Sequence, residues 1–236
     1  MLSAYCRALF PSYCWPITGD GSHAHGFLHR LDVPASGLIV VAKTHEAFYD
    51  LQLQSRTGAM AREYAVLCHG WLPPQREEVR SRIHWTSGRH LRSLVLPRGK
   101  PSLTWLKVLA RVMHPERAKA FSLVAVRIAT GRKHQIRLHT SYVGHATVCD
   151  GRYTSDLTTF LDDRSWCPRN FLHRYGVAFR DRGGVEHQVA EPLPRDLADA
   201  LRALAACGER SAQASLCWLN GDWQGSRRLC SRGGIA

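Results

Sequence analysis

The chain has 236 residues, 44% of them hydrophobic, with 11 prolines spread along it, which is enough to bury a sizeable core and excludes a largely disordered polypeptide. Lys and Arg number 32 against 19 Asp and Glu, a formal charge of +13. That excess favours a polyanionic partner, nucleic acid before a membrane, because the basic residues are scattered and form no juxtamembrane cluster.

No apolar run approaches the roughly 20 residues that span a bilayer. The eight cysteines include no C-x-x-C pair, so reduced thiols in an intracellular protein are expected, with cytoplasm, nucleus and organelle left open. Met1–Pro16 holds one Arg and no Lys, unlike a signal or transit peptide, and a Gly-Asp-Gly-Ser loop follows at 19–22.

Gly26–Lys43, GFLHRLDVPASGLIVVAK, is the most informative stretch. Asp32 sits between an Arg and a Val-Pro turn, and Leu38–Ala42 is an apolar run that predicts a buried strand. A carboxylate on a tight connection beside a strand is placed to face a cleft, or simply to cap local amides. Thr44 then suits a helix N-cap, with Glu46 in the first turn and Gly58 after the last. Arg62–Gly70 alternates as a strand, with Tyr64, Val66 and Cys68 on one face and Ala65, Leu67 and His69 on the other. Residues 76–100 are basic and rich in turn formers, with a hairpin tip expected at Ser87-Gly88.

Leu103–Val112 and Ala120–Ala129 predict two strands joined across Pro115, and Lys133–Tyr142 has helical periodicity. Asn170–Arg180 and Val185–Val189 flank an Arg-Gly-Gly turn and predict a hairpin. Asp196–Ala206 predicts a helix capped by Asp196, and residues 208–236 lack a period and are expected to be a disordered tail. Strands that do not alternate strictly with helices predict an α+β fold with a mixed, largely antiparallel sheet and flanking helices.

Four motifs carry a family resemblance. His29-Arg30-Leu31-Asp32 with Ser36-Gly37-Leu38 and Ala42-Lys43 resembles the HRLD…TSGL…AK signature of the RluA-type RNA pseudouridine synthases, with Ala35 where the family has Thr. Arg62-Glu63-Tyr64 is similar to its K-x-Y strand, with Arg in the Lys position. Thr130–His139, TGRKHQIRLH, matches its TGR-x-HQIR-x-H segment, and Gly144, Asp150 and Tyr153 continue that block. Asn170–His173 and Glu191–Pro194 resemble its closing segments. The match covers residues 26–206, which places a catalytic domain at 26–207. The family's upstream strand and Lys-Pro segment have no counterpart in residues 1–25, so that segment is expected to be atypical, through truncation or loss.

The resemblance implies a cofactor-free enzyme that isomerises specific uridines in rRNA or tRNA by base flipping, acting as a monomer without metal or membrane. It implies Asp32 as nucleophile, Arg137 as its ion-pair partner, and Tyr64 as the aromatic that stacks on the target base. It implies Arg30 as the residue entering the space of the flipped base, and Arg62 and Leu138 beside the cleft. On residue type alone, the alternative reading is a core residue for Tyr64 and Leu138, a structural ion pair for Arg30, and a solvated phosphate contact for Arg137. Arg132, Lys133 and His134 open a helix after a Gly-containing turn, where backbone amides suit an RNA phosphate. His23, His25 and His29 form H-x-H-x3-H without an evident completing ligand, so no metal is expected. Two alternatives remain: a catalytically impaired RNA-binding relative, motivated by the absent upstream segment, Ala35 and Arg62, and a His/Asp hydrolase on His29 and Asp32, which lacks a nucleophile motif.

Overall fold

The computed structural model describes residues 2–85 and 92–221. Helix α1 (Leu2–Leu9) buries no side chain, and two 3₁₀ segments, Pro16–Gly19 and Gly21–Gly26, follow it. Next come β1 (Ser36–Gly37), α2 (His45–Thr57), β2 (Ala61–His69), β3 (Glu78–His84), β4 (Leu94–Val95), β5 (Lys100–His114) and β6 (Lys119–Ile128). The chain continues through α3 (Gln135–Tyr142), α4 (Leu157–Arg164), β7 (Leu172–Arg180), β8 (Glu186–Ala190), α5 (Arg195–Arg202), β9 (Ala205–Ala206) and α6 (Glu209–Asn220).

The described strands form one sheet in the order β1-β7-β2-β6-β5-β3-β4, with β8 on β7 and β9 on β5. Every pairing is antiparallel except β1 with β7. The mixed, largely antiparallel α+β architecture expected from the pattern is the one observed. Period-2 alternation in β2 sorts the core into two layers. Ala65 and Leu67 pack with Phe121, Leu123, Leu197, Leu201 and Trp218 on the face covered by α5 and α6. Tyr64, Val66 and Cys68 pack with Leu106, Val126 and Ile136 on the opposite face, against α3. A third cluster joins Ile17, Phe48, Leu51, Met60 and Val177, so α2 and the N-terminal segment share one patch of the sheet.

Helix α2 starts and stops where residue chemistry says it should. The Thr44 hydroxyl accepts the Ala47 amide at 3.2 Å, and Gly58 ends the helix in the left-handed region at φ 82°.

Four expectations need correction. Leu38–Ala42 is not a sheet strand: the sheet takes only Ser36 and Gly37, and the run instead folds back on Gly26–Leu28, with the Leu28 amide on the Val40 carbonyl at 3.2 Å and the Ala42 amide on the Gly26 carbonyl at 2.8 Å. The cause is Gly37, whose φ of 114° steers the chain off the sheet edge. A Cβ there would lie 2.2 Å from the Arg174 carbonyl oxygen, so only glycine permits this approach to β7. Helix α5 begins at Arg195, and Asp196 pairs mainly with Arg169, Nε to Oδ2 at 2.6 Å; the chain leaves the helix before Ala205 to pair with β5.

The third correction concerns the supposed tail. Residues 209–220 form α6, with Trp218 only 1% exposed in the main core, while 222–236 lie outside the described residues. Two buried side chains, Ser211 and Trp218, are too few to give a visible apolar stripe. Fourth, the basic stretch after residue 76 holds β3 and β4; Val79 and Ile83 point inward between outward Arg80 and Arg82. Its expected tip at Ser87-Gly88 lies outside the described residues. No helix among the described residues is long and apolar enough to cross a membrane.

Candidate active site

A cleft of about 530 Å³ opens between the Leu28–Ala35 segment, β2, the end of β6 and the start of α3, with Arg174 of β7 on its wall. Asp32 is delivered to it by a turn closed by the Ala35 amide on the Asp32 carbonyl at 2.9 Å. Arg169 braces that turn from outside, donating to the Pro34 carbonyl at 3.2 Å and the Ser36 hydroxyl at 3.0 Å.

The fold brings Arg137 to Asp32 across 105 residues, Nη1 to Oδ2 at 3.3 Å. Arg137 is 3% exposed and is held mainly by Asp150, Nε to Oδ2 at 2.7 Å and Nη2 to Oδ1 at 2.6 Å. Burial works against its charge, but Asp150 and Asp32 outweigh that and raise its pKa. Burial likewise pushes Asp150 up, yet Arg137 and the Arg152 amide hold its carboxyl below the usual range. The solvated-Arg reading of Arg137 is therefore excluded.

Tyr64 lines the cleft with its hydroxyl fixed by Arg174, whose Nε donates at 2.8 Å and whose Nη2 donates as well. Arg174 also donates to His29 Nδ1 at 2.6 Å and to the Leu38 carbonyl at 3.1 Å. To accept, the imidazole must be neutral. Burial, then the charges of Arg174 and Arg62, pulls His29 down to about 3. Arg62 is buried on the same wall, donating to the Ser55 hydroxyl (3.1 Å), the Ser55 carbonyl (3.2 Å) and the Ala129 carbonyl (3.1 Å).

The remaining expected site residues divide. Arg30 is exposed at the rim of the cleft and makes no ion pair or side-chain hydrogen bond among the described residues, which removes the structural-pair reading. His134 lines the cleft, with Nδ1 3.0 Å from the Tyr153 hydroxyl; burial lowers its pKa against the opposing pull of Asp32. Arg132 also lines it. Leu138 does not: it is core, packed with Ile83 and Tyr153. Lys133 does not line it either, and its carbonyl accepts the Ser93 hydroxyl at 2.8 Å.

Of the amides expected to meet a phosphate before α3, that of Arg132 is already taken within the fold. Helix α3 starts only at Gln135, whose Oε1 already accepts the Arg132 amide at 3.0 Å and the Thr130 hydroxyl at 2.8 Å. Missing from the sequence reading were Arg174 and the role of Asp150. Asp150 stood in a matched block, so the signal was present. Arg174 sits in a strand of alternating character, and nothing in its spacing marks it.

A family model described as RNA pseudouridylate synthase matches residues 17–142, which include Asp32, Tyr64 and Arg137. The chain belongs to the RNA pseudouridylate synthase family. Within that family it is 36% identical over 189 residues to the ribosomal large subunit pseudouridine synthase D of Nitrosomonas europaea, covering 76% of this chain and 51% of the relative. It is 30% identical over 183 residues to the ribosomal large subunit pseudouridine synthase C of Haemophilus ducreyi, covering 76% of this chain and 55% of the relative. The solved structure of human RNA pseudouridylate synthase domain containing 1 superposes with a TM-score of 0.64 at 25% identity, covering 82% of this chain and 79% of that one. The chain spans about half the length of these two curated family members.

Proposed function

We propose that this chain is an RNA pseudouridine synthase, converting uridine to pseudouridine in structured RNA with Asp32 as covalent nucleophile. The observation that carries the reading is that Asp32, which lines a cleft walled by cations, is ion-paired to the buried Arg137 behind it. The guanidinium of Arg137 faces the Asp32 carboxylate at 3.3 Å and complements the negative charge that a carboxylate nucleophile carries. A volume of about 530 Å³ suits a nucleotide turned out of its stack.

In the proposed sequence the N1–C1′ bond breaks with its electron pair left on uracil, and Asp32 bonds to the nucleotide as the intermediate forms. The base turns, C5 bonds to C1′, and the carboxylate is released. The C5 proton departs and N1 ends protonated, so the reaction is a balanced isomerisation without redox change. Tyr64 stacks on the base and assists removal of the C5 proton. Arg174 donates two N–H groups to the Tyr64 oxygen and so holds the ring against the base. Arg30, exposed at the rim, enters the space that the base leaves, where a planar cation stacks and hydrogen-bonds.

The relatives' names assign them to the large ribosomal subunit, which makes large-subunit rRNA the first substrate to test, with transfer RNA second. The chain acts as a monomer in this reading. Tritium release from RNA carrying 5-tritiated uridine measures the step directly. Asp32→Asn should stop release while far-UV circular dichroism stays unchanged; turnover by that variant would overturn the assignment of the nucleophile.

A further inference from the structure

Away from the cleft, a second polar constellation joins the N-terminal segment to α2. Asp20 Oδ2 lies 2.7 Å from His23 Nδ1 and 3.0 Å from His45 Nε2. One ligand atom from each of the three residues falls within 4.8 Å of the others, and all three are half-buried, open enough for an ion to enter. The other Asp20 oxygen, Oδ1, is already taken by the Ser22 amide (2.8 Å) and hydroxyl (2.6 Å), which turns Oδ2 toward the imidazoles. The far nitrogen of His23, Nε2, is 2.7 Å from the Tyr49 hydroxyl, and the ring packs edge-on against Phe48 and Tyr49.

Two of the three groups thus carry the outer hydrogen bonds that orient metal ligands. The set is not the H-x-H-x3-H run. His25 Nδ1 is 3.0 Å from the Thr18 carbonyl and His29 is bound to Arg174, so only His23 of that run takes part.

We propose that Asp20, His23 and His45 bind a first-row divalent cation, with zinc as the test ion and water completing the shell. Two imidazoles and a carboxylate suit zinc and its neighbours better than magnesium or calcium, which favour all-oxygen sites. On binding, the ion replaces the protons now shared between Oδ2 and the imidazoles. His23 Nδ1 and His45 Nε2 present lone pairs to the ion, the proton of each neutral imidazole moving to its other nitrogen, so that the Nε2–H of His23 donates to the Tyr49 oxygen. The ion ties the Gly21–Gly26 turn to the first turn of α2. Gly26 leads directly through Leu28 and His29, which line the cleft, to Asp32. The site therefore clamps the segment from which the cleft wall departs.

The test uses the full chain, stripped with chelator and titrated with cobalt, then with zinc. Expected are visible ligand-field bands of cobalt without thiolate charge-transfer absorption, and a zinc-dependent rise in melting temperature. At a hundredfold excess over Kd that rise should be roughly 5 °C or more, with magnesium giving none. Asp20→Asn and His45→Gln should each abolish both signals. His45 opens a helix at the surface, so its variant should fold even if Asp20→Asn does not. Absence of bands and of any shift in the unmodified chain at millimolar metal would overturn the site. Thiolate absorption, or signals that persist in His45→Gln, would overturn it too by placing the ion elsewhere.

Discussion

Arg137 and Asp150 are locked side by side by two hydrogen bonds of 2.7 and 2.6 Å, and only the remaining nitrogen of Arg137 reaches Asp32, at 3.3 Å. Asp150 therefore aims the guanidinium, and Asp32 is held by the part left over. Asp150→Asn keeps the shape but removes the charge that fixes Arg137. Tritium release should fall about 10–100-fold, with RNA affinity retained in filter binding. Arg137→Ala should do more harm to the fold, because it leaves a fully buried carboxylate unpaired. The expected loss is about 3–5 kcal/mol in urea unfolding. An Asp150→Asn variant as active as the parent would refute the aiming role.

Tyr64 and Arg174 are coupled through one oxygen. Tyr64→Phe strips a buried guanidinium of an acceptor, so it should cost roughly 1–3 kcal/mol of stability as well as turnover. Arg174→Lys cannot reproduce the fork that engages Tyr64, His29 and the Leu38 carbonyl together. It should lower activity while leaving the Asp32–Arg137 pair intact. Urea unfolding read beside tritium release separates the two effects.

Stability should depend on pH through His29. Its folded pKa, about 3, lies below the ordinary value of 6.5, so the unfolded chain binds the proton more readily. The stability it contributes is fully present above 6.5 and is lost as pH falls from there toward 3. His139, brought down to about 4 by burial, acts in the same direction. His29→Gln should flatten the slope of urea-unfolding free energy in that window, by up to about 5 kcal/mol in total. An unchanged slope would mean that the imidazole takes up its proton equally readily in the folded and the unfolded chain.

Helix α6 should be needed for stability. Trp218→Ala removes a fully buried ring from the main cluster and should cost about 3–5 kcal/mol. Ending the chain after Cys207 should lower the melting temperature by many degrees. Calorimetry showing no change would mean that the helix does not pack.

The sequence made the site legible where a motif fixed both residue and order. Asp32, Tyr64 and Arg137 lie in matched segments, and the fold brings Asp32 and Arg137 into contact and places Tyr64 in the lining of the cleft that Asp32 also lines. Alternation exposed β2, and β5 and β6 showed through as long apolar-rich runs. What stayed hidden was decided by tertiary partners. Arg174 acquires its role only when β7 lies beside β2. Leu38–Ala42 has strand composition, but the backbone at Gly37 directs it elsewhere. Asp20 completes a ligand set only because α2 swings His45 back over it.

The two-residue strand β1 has a consequence for how the protein is made. Ser36 pairs with His173, 137 residues later, so the Asp32 turn has no sheet to rest on until nearly the whole domain has been synthesised. During translation the Asp32 loop waits, attached to α2 but without its far wall, and closing so long a loop is slow. Ribosome-bound chains arrested before β7 emerges should hold α2 and β2 yet remain trypsin-sensitive at Arg30-Leu31. Those arrested after it should become resistant there in a single step.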